Sequence, residues 1–149
     1  MHFRWRNWHY LSKKELYDVI QLRLEVFSVE QNCPYQDLDG QDLKAMHLLA
    51  YDDAKLVGYL RLFETYEKYF GQSSLGRVCT AKSHRKKSLG KQMMRLALEY
   101  SDEHFSKNIQ ISAQQYLEKF YQNFGFVTLS GPYLEDGIAH IEMIRKYEK

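Results

Sequence analysis

The chain has 149 residues, 44% hydrophobic and 27% charged, the composition of one globular domain with a real core and too little for two. A formal net charge of +2 is too balanced for wholesale nucleic-acid binding. No apolar run approaches membrane-spanning length, and Met1-His2-Phe3-Arg4-Trp5-Arg6 lacks the apolar centre of a signal peptide. Cys33 and Cys79 have no metal-ligand spacing and suit a reducing cytoplasm, so a soluble cytoplasmic protein without metal, membrane or nucleic-acid partner is expected.

Phe3 and Trp5 alternate with Arg4 and Arg6, which predicts a first strand over residues 2–7. Ser12-Lys13-Lys14-Glu15 has the form of a capping box. Behind it, Leu16, Val19, Ile20, Leu24 and Phe27 make one stripe of a helix reaching about residue 28. Residues 30–46 read as irregular. Their Asp37-x-Asp39-Gly40 resembles a calcium loop, but Leu48 stands at the twelfth position, where a bidentate Glu is needed. Calcium is rejected, and the aspartates are expected to form turns and caps or to line an acidic pocket rim.

His47–Tyr51 and Leu56–Thr65 are predicted as strands of a hairpin around Asp52-Asp53-Ala54-Lys55. The second is apolar on both faces, as a covered central strand should be. Arg61 on it therefore needs a carboxylate partner or lines a site. A short β-prone run, Ser74–Thr80, leads into the basic turn His84-Arg85-Lys86-Lys87-Ser88-Leu89-Gly90. Leu89, Met93, Leu96, Ala97 and Tyr100 then recur at helical spacing over residues 88–105. Strand, cationic turn and helix start aim free N–H groups and a partial positive charge at one point, an arrangement suited to a phosphate or pyrophosphate; a solvated turn is the plainer reading of such a charge run. A Walker loop is excluded because Arg85 and Gln92 stand where Gly and Ser or Thr are required. The G-x-G-x-x-G fingerprint is absent.

Asn108–Ala113 is a further strand, which a right-handed crossover would place parallel to Ser74–Thr80. Gln115–Phe124 is a short helix ending at Gly125, a suitable C′ residue. Phe126–Leu129 and Ile138–Arg145 are the last two strands. The order predicts an α/β or α+β fold, a mixed sheet flanked by helices.

Arg85-x-x-x-x-Gly90 after one strand and Tyr121-Gln122-Asn123-Phe124-Gly125-Phe126 after the next resemble the phosphate loop and penultimate helix of the GNAT acetyltransferases. Arg23, Val26-Phe27, Val29-Glu30-Gln31, Gly76-Arg77-Val78 and Tyr133-Leu134-Glu135-Asp136-Gly137-Ile138 with His140 resemble its ElaA-type branch, and the likeness covers nearly the whole chain. The resemblance implies one GNAT domain over residues 1–149, with a mostly antiparallel central sheet whose fourth and fifth strands are parallel and splayed. It implies an N-acetyltransferase that moves the acetyl group of acetyl-CoA to a primary amine, on a small molecule or a protein, by direct attack in a ternary complex. A catalytically silent CoA-binding sensor of the same fold is the alternative.

By the same resemblance, Arg85, Lys86, Lys87, Ser88, Leu89, Gly90 and Lys91 would hold the pyrophosphate. Val78, Cys79 and Thr80 would flank the pantetheine arm, and one of their N–H groups would polarise the thioester carbonyl. Gln114 takes the place of an asparagine that contacts the cofactor in many relatives. Tyr121 would touch the cofactor and act as general acid; by residue type Glu64, Glu30, His47, Glu135 and His140 are candidates for the base, with Glu64 put first. Glu30, His47, Arg61, Glu135 and His140 are the candidates for acceptor binding, and the charges of Asp37, Asp39, Glu135 and Asp136 would suit a cation. Ser88 departs from the family's usual Gly. A positive φ there would cost roughly 1–2 kcal/mol, a helical one little. The last strand pair could support a homodimer.

Overall fold

The computed structural model describes residues 1–149. The chain opens with β1 (His2–Asn7) and α1 (Lys13–Leu24), and the capping box forms as the sequence requires. The Ser12 hydroxyl accepts the Glu15 N–H at 3.0 Å, and Glu15 accepts the Ser12 N–H at 2.9 Å. Instead of stopping, α1 continues as a π-helical segment, Glu25–Glu30, a widening typical of functional sites. An irregular stretch follows and leads into β2 (Met46–Asp52) and β3 (Lys55–Phe63), then β4 (Ser74–Thr80) and α2 (Leu89–His104). The chain closes with β5 (Ile109–Gln114), α3 (Glu118–Gln122), β6 (Val127–Glu135) and β7 (Ile138–Arg145). None of the helices is long and apolar enough to cross a membrane.

Seven strands form two antiparallel sheets, β1-β2-β3-β4 and β5-β7-β6. The expected parallel β4–β5 ladder is not formed. One parallel bridge, Ser73 with Ile109, joins the sheets just before β4 begins. It is held by Ser73 N–H to Asn108 O at 3.1 Å and Gln110 N–H to Ser73 O at 2.9 Å. Past that point β4 and β5 do not pair. A bulge contributes: Tyr59 pairs with Cys79 but Arg61 with Gly76, so Arg77 and Val78 together oppose Leu60. Arg77 takes a φ of +50°, and such an extra residue bends its strand and leaves a backbone position outside the ladder.

β3 is central, as its two apolar faces foretold. On one face Gly58 lets α2 approach: a Cβ there would meet Met93 Sδ at 2.8 Å and Leu89 Cδ2 at 3.2 Å. The other face carries Tyr59, with the Arg23 guanidinium of α1 over its ring at 5.7 Å. Leu48, Leu49, Val57, Leu60 and Met93 are fully buried between these layers. β6 continues past the expected end at Leu129, through Ser130-Gly131-Pro132 to Glu135. At a sheet edge proline needs no ladder donor, and the register shifts around Ser130 to accommodate it.

Candidate active site

The separation of β4 from β5 opens a cleft of about 800 Å³. Val78, Cys79 and Thr80 wall one side and Ile111 to Gln114 the other. Arg85, Gly90 and Phe120 stand at one end; Phe63, Tyr66 and Tyr69 stand at the other.

At the first end, the basic turn adopts the costly geometry. Lys86 and Ser88 have φ of +64° and +61°, so Ser88 carries the left-handed penalty of roughly 1–2 kcal/mol. Its side chain caps no N–H of α2, which leaves the donors of the first helical turn free for an anion. Arg85 lines the cleft and is already engaged: it grips Glu30 in a fork at 2.5 and 3.0 Å and donates to Thr80 O at 3.0 Å. Lys86, Lys87, Ser88 and Lys91 are exposed outside the cleft wall, and the Leu89 side chain is buried in the core. Those positions offer backbone or long-range charge to the corner.

Mid-cleft stands Tyr121, 6% exposed, its ring set edge-on between Phe120 at 5.2 Å and Phe126 at 5.7 Å. Its hydroxyl makes no hydrogen bond within the chain. Unlike Arg61 Nε and Ser101 Oγ it is not sealed in, so it opens onto the cleft that its residue lines. Burial pushes this phenol above its ordinary range. Burial likewise pushes the Cys79 thiol up, to about 12. Gln114 exchanges amide hydrogen bonds with Gln31 at 3.3 and 3.4 Å, tying β5 to the chain after the π-helical segment.

A polar cluster lies on the β5-β7-β6 side. His140 and Glu135 line the cleft with Ser112. Ser112 Oγ donates to Glu135 at 3.3 Å and contacts the Tyr133 hydroxyl. Tyr133 and Tyr69 both donate to Glu142, at 3.2 and 2.8 Å. Ser112, Glu142 and Tyr69 were not singled out from sequence, and Tyr133 entered only as part of the family-like stretch Tyr133–Ile138. The one available signal was the polar alternation Gln110, Ser112, Gln114 along β5.

Three expectations are corrected. Glu64 is exposed just past β3 and does not line the cleft, so the structure gives it no position from which to act as base. His47 is buried away from the cleft, with Nδ1 2.6 Å from the Tyr59 hydroxyl and Nε2 2.9 Å from Asp42 O. A carbonyl only accepts, so Nε2 carries the hydrogen, and burial lowers the pKa to keep the ring neutral. Of the two roles open to the aspartates, the turn is formed, with Asp39 accepting the Gln41 N–H at 3.0 Å, and a free acidic rim is not, because arginines pair them. Arg23, only 1% exposed, donates to Asp37 at 2.9 Å and to Asp42 at 2.7 Å. Arg61 donates to Asp39 at 2.7 Å and to Asp42 at 2.9 Å, and Arg77 donates to Asp37 at 2.8 Å. Arg61 thus lines the cleft with its charge already matched, and the network fastens residues 35–42 to β3 and β4.

Comparison with known proteins places this architecture. The family described as acetyltransferase (GNAT) domain matches residues 13–147. The chain belongs to the GNAT acetyltransferase family. Among its relatives, Protein ElaA of Escherichia coli K12 is 40% identical over 147 residues, 95% of either chain. The crystal structure of E. coli ElaA superposes with a TM-score of 0.91 at 38% identity, covering 98% of this chain and all of that one. An acyl-CoA N-acyltransferase from Pseudomonas aeruginosa superposes with a TM-score of 0.90 at 40% identity, covering 97% and 99%. Acetyl transfer in general is the activity that membership of the GNAT family supports.

Proposed function

We propose that the chain is one acetyltransferase domain that binds acetyl-CoA in the β4–β5 cleft and passes the acetyl group directly to a primary amine. The observation that carries this reading is the unpartnered Tyr121 hydroxyl opening onto the wall of a cleft whose end is a cationic, donor-rich helix start. Acetyl-CoA supplies an activated acyl thioester. The first turn of α2 offers N–H groups to the pyrophosphate, and Arg85 exchanges the carboxylate of Glu30 for phosphate oxygens of matching fork geometry. The bulge at Arg77–Val78 brings a backbone donor out of the ladder on the cleft wall, where it can stabilise negative charge on the thioester oxygen.

Tyr121 then protonates the departing thiolate. An ordinary phenol titrates near 10 and a thiol near 8.5. Burial raises the phenol, and the Cys79 thiol on the same cleft is raised too; a CoA thiol brought to the same dry wall would be raised for the same reason. The same shift argues against an acyl-cysteine relay, because Cys79 stays protonated and un-nucleophilic. The raised Cys79 thiol thus favours direct attack in a ternary complex.

Tyr121→Phe removes one oxygen from the cleft wall and keeps the ring contacts. It should lower kcat for amine-dependent thiol release by about 10²-fold, within the usual range for an acid–base group, while acetyl-CoA still raises the melting temperature of the variant. An unchanged kcat would remove Tyr121 from the mechanism. Stabilisation by acetyl-CoA without thiol release across a broad amine panel would select the silent sensor instead.

A further inference from the structure

His140 lies on β7, 8% exposed, opposite Gln114 of β5 and Tyr133 of β6. Its Nδ1 is 2.7 Å from Ile138 O. Since a carbonyl only accepts, Nδ1 carries a hydrogen, so Nε2 is a lone pair whenever the ring is neutral. That lone pair faces Glu135 Oε2 at 3.3 Å. Two acceptors so placed repel each other unless a proton lies between them.

No lysine or arginine side chain pairs with Glu135. Asp37, Asp39 and Asp42 each have arginine partners. Glu135 has only His140 and the Ser112 hydroxyl, and Glu142 behind it has only the Tyr69 and Tyr133 hydroxyls. Lys68 Nζ is over the Tyr69 ring at 5.4 Å, and the nearby hairpin tip Asp136 adds a further carboxylate to the cleft lining. The Tyr133 ring lies alongside the imidazole, centroids 6.2 Å apart, and fixes its plane. With the ring neutral, this end of the cleft presents a lone pair and a carboxylate to whatever enters, with the Ser112, Tyr133 and Tyr69 hydroxyls behind them.

We propose that His140 and Glu135 receive the acceptor as an ammonium ion and take its proton, so that the acceptor class is a strongly basic aliphatic amine rather than a weakly basic arylamine. The inference rests on the acetyltransferase reading above. An N–H of the ammonium bridges Nε2 and Oε2 and relieves their repulsion; His140 Nε2 keeps that proton as Glu135 stabilises the imidazolium. The freed nitrogen lone pair forms the C–N bond as the C–S bond breaks. Tyr121 protonates the thiolate, and the second proton shed by nitrogen restores the phenol. One proton per turnover remains, and His140 returns it to solvent.

The test compares an alkylamine with an arylamine, the latter being neutral at pH 7. In His140→Gln, kcat/KM for the alkylamine should fall by about 10²-fold or more. For the arylamine it should change by only a few-fold, and the alkylamine loss should shrink as pH rises towards 10. Glu135→Gln, at a half-exposed hairpin position, should show the same split and guards against a folding artefact in the first variant. Equal losses for both amines, or a wild-type preference for the arylamine, would overturn the proposal. A second readout needs no acetyl-CoA: titrating isotope-labelled wild-type protein with a simple alkylammonium salt should move the His140 imidazole resonances saturably. An unmoved His140 signal overturns the proposal, whereas saturable movement with no thiol release from acetyl-CoA overturns the acetyltransferase reading and leaves the ammonium site standing.

Discussion

Gly90 and Ser88 sit two positions apart at the start of α2 and answer opposite questions. A Cβ on Gly90 would meet only the Phe120 ring, at 3.8 Å, an ordinary contact. The protein itself thus does not require glycine there. Gly90→Ala should raise stability by at most about 0.5 kcal/mol, since the helix-interior difference of about 1 kcal/mol applies only in part in the first turn. If a pyrophosphate approaches this backbone closely, the same change should abolish most of the acetyl-CoA-induced thermal shift; a retained shift would place the anion elsewhere. Ser88 holds a left-handed conformation that its Cβ resists. Ser88→Gly relieves roughly 1–2 kcal/mol of strain and returns about half of that through greater freedom in the unfolded chain. A net gain of about 0.5–1 kcal/mol in urea unfolding is expected, and a loss would show that the serine makes a contact worth more than its strain.

Between helix and sheet, the element that depends most on side-chain chemistry is the irregular stretch 31–45. It contributes Cys33, Tyr35 and Asp39 to the cleft, and it is held by arginines rather than by a hydrophobic face. Arg23, on the last turn of α1, reaches Asp37 and Asp42 at once. Arg23→Ala leaves two carboxylates buried with one arginine fewer, a loss that should cost about 3 kcal/mol. Guanidinium unfolding would measure it, and faster amide exchange confined first to residues 31–45 would show that the arginine clamps this stretch. A loss below about 1 kcal/mol would mean that Arg61 and Arg77 alone suffice. The two apolar faces of β3 made Arg61 conspicuous from sequence, but its partners lie 19 and 22 positions away in that irregular stretch. No local periodicity could name them.

For the molecule as a whole, the titrating groups define a stability plateau with two limbs. Burial alone would raise the pKa of Asp39 and Asp42, but hydrogen bonds and charges from Arg61, Arg23 and Arg77 outweigh it and hold both below the usual carboxylate range. Glu15 is lowered too, by Ser12, Arg4 and Arg6 against its burial. The unfolded chain therefore binds protons first as pH falls, so this stabilisation is present above the ordinary carboxylate pKa near 4 and is lost below it. Neutral buried His47 has the same sign and extends the limb up to about 6.5. On the alkaline side, burial raises Tyr35 and Cys79 to about 12. Their unfolded counterparts ionise first, and stability falls above about pH 9. Urea midpoints should be flat from about pH 7 to 9 and decline on both sides; a midpoint that holds through pH 4 would contradict the buried arginine–aspartate network. What the sequence by itself determined was local: the capping box at Ser12, the strand–turn–helix corner at 74–90 and the Tyr121 helix ending at Gly125 are written in neighbouring residues, since caps, turns and 3.6-residue stripes involve partners a few positions apart. The tertiary structure alone decided that β4 and β5 share one bridge instead of a ladder, that Glu64 faces solvent, and that His140 meets Glu135 beside Ser112. Those outcomes depend on register, on a one-residue bulge and on which strands become neighbours, and these are settled only when distant segments pack against one another.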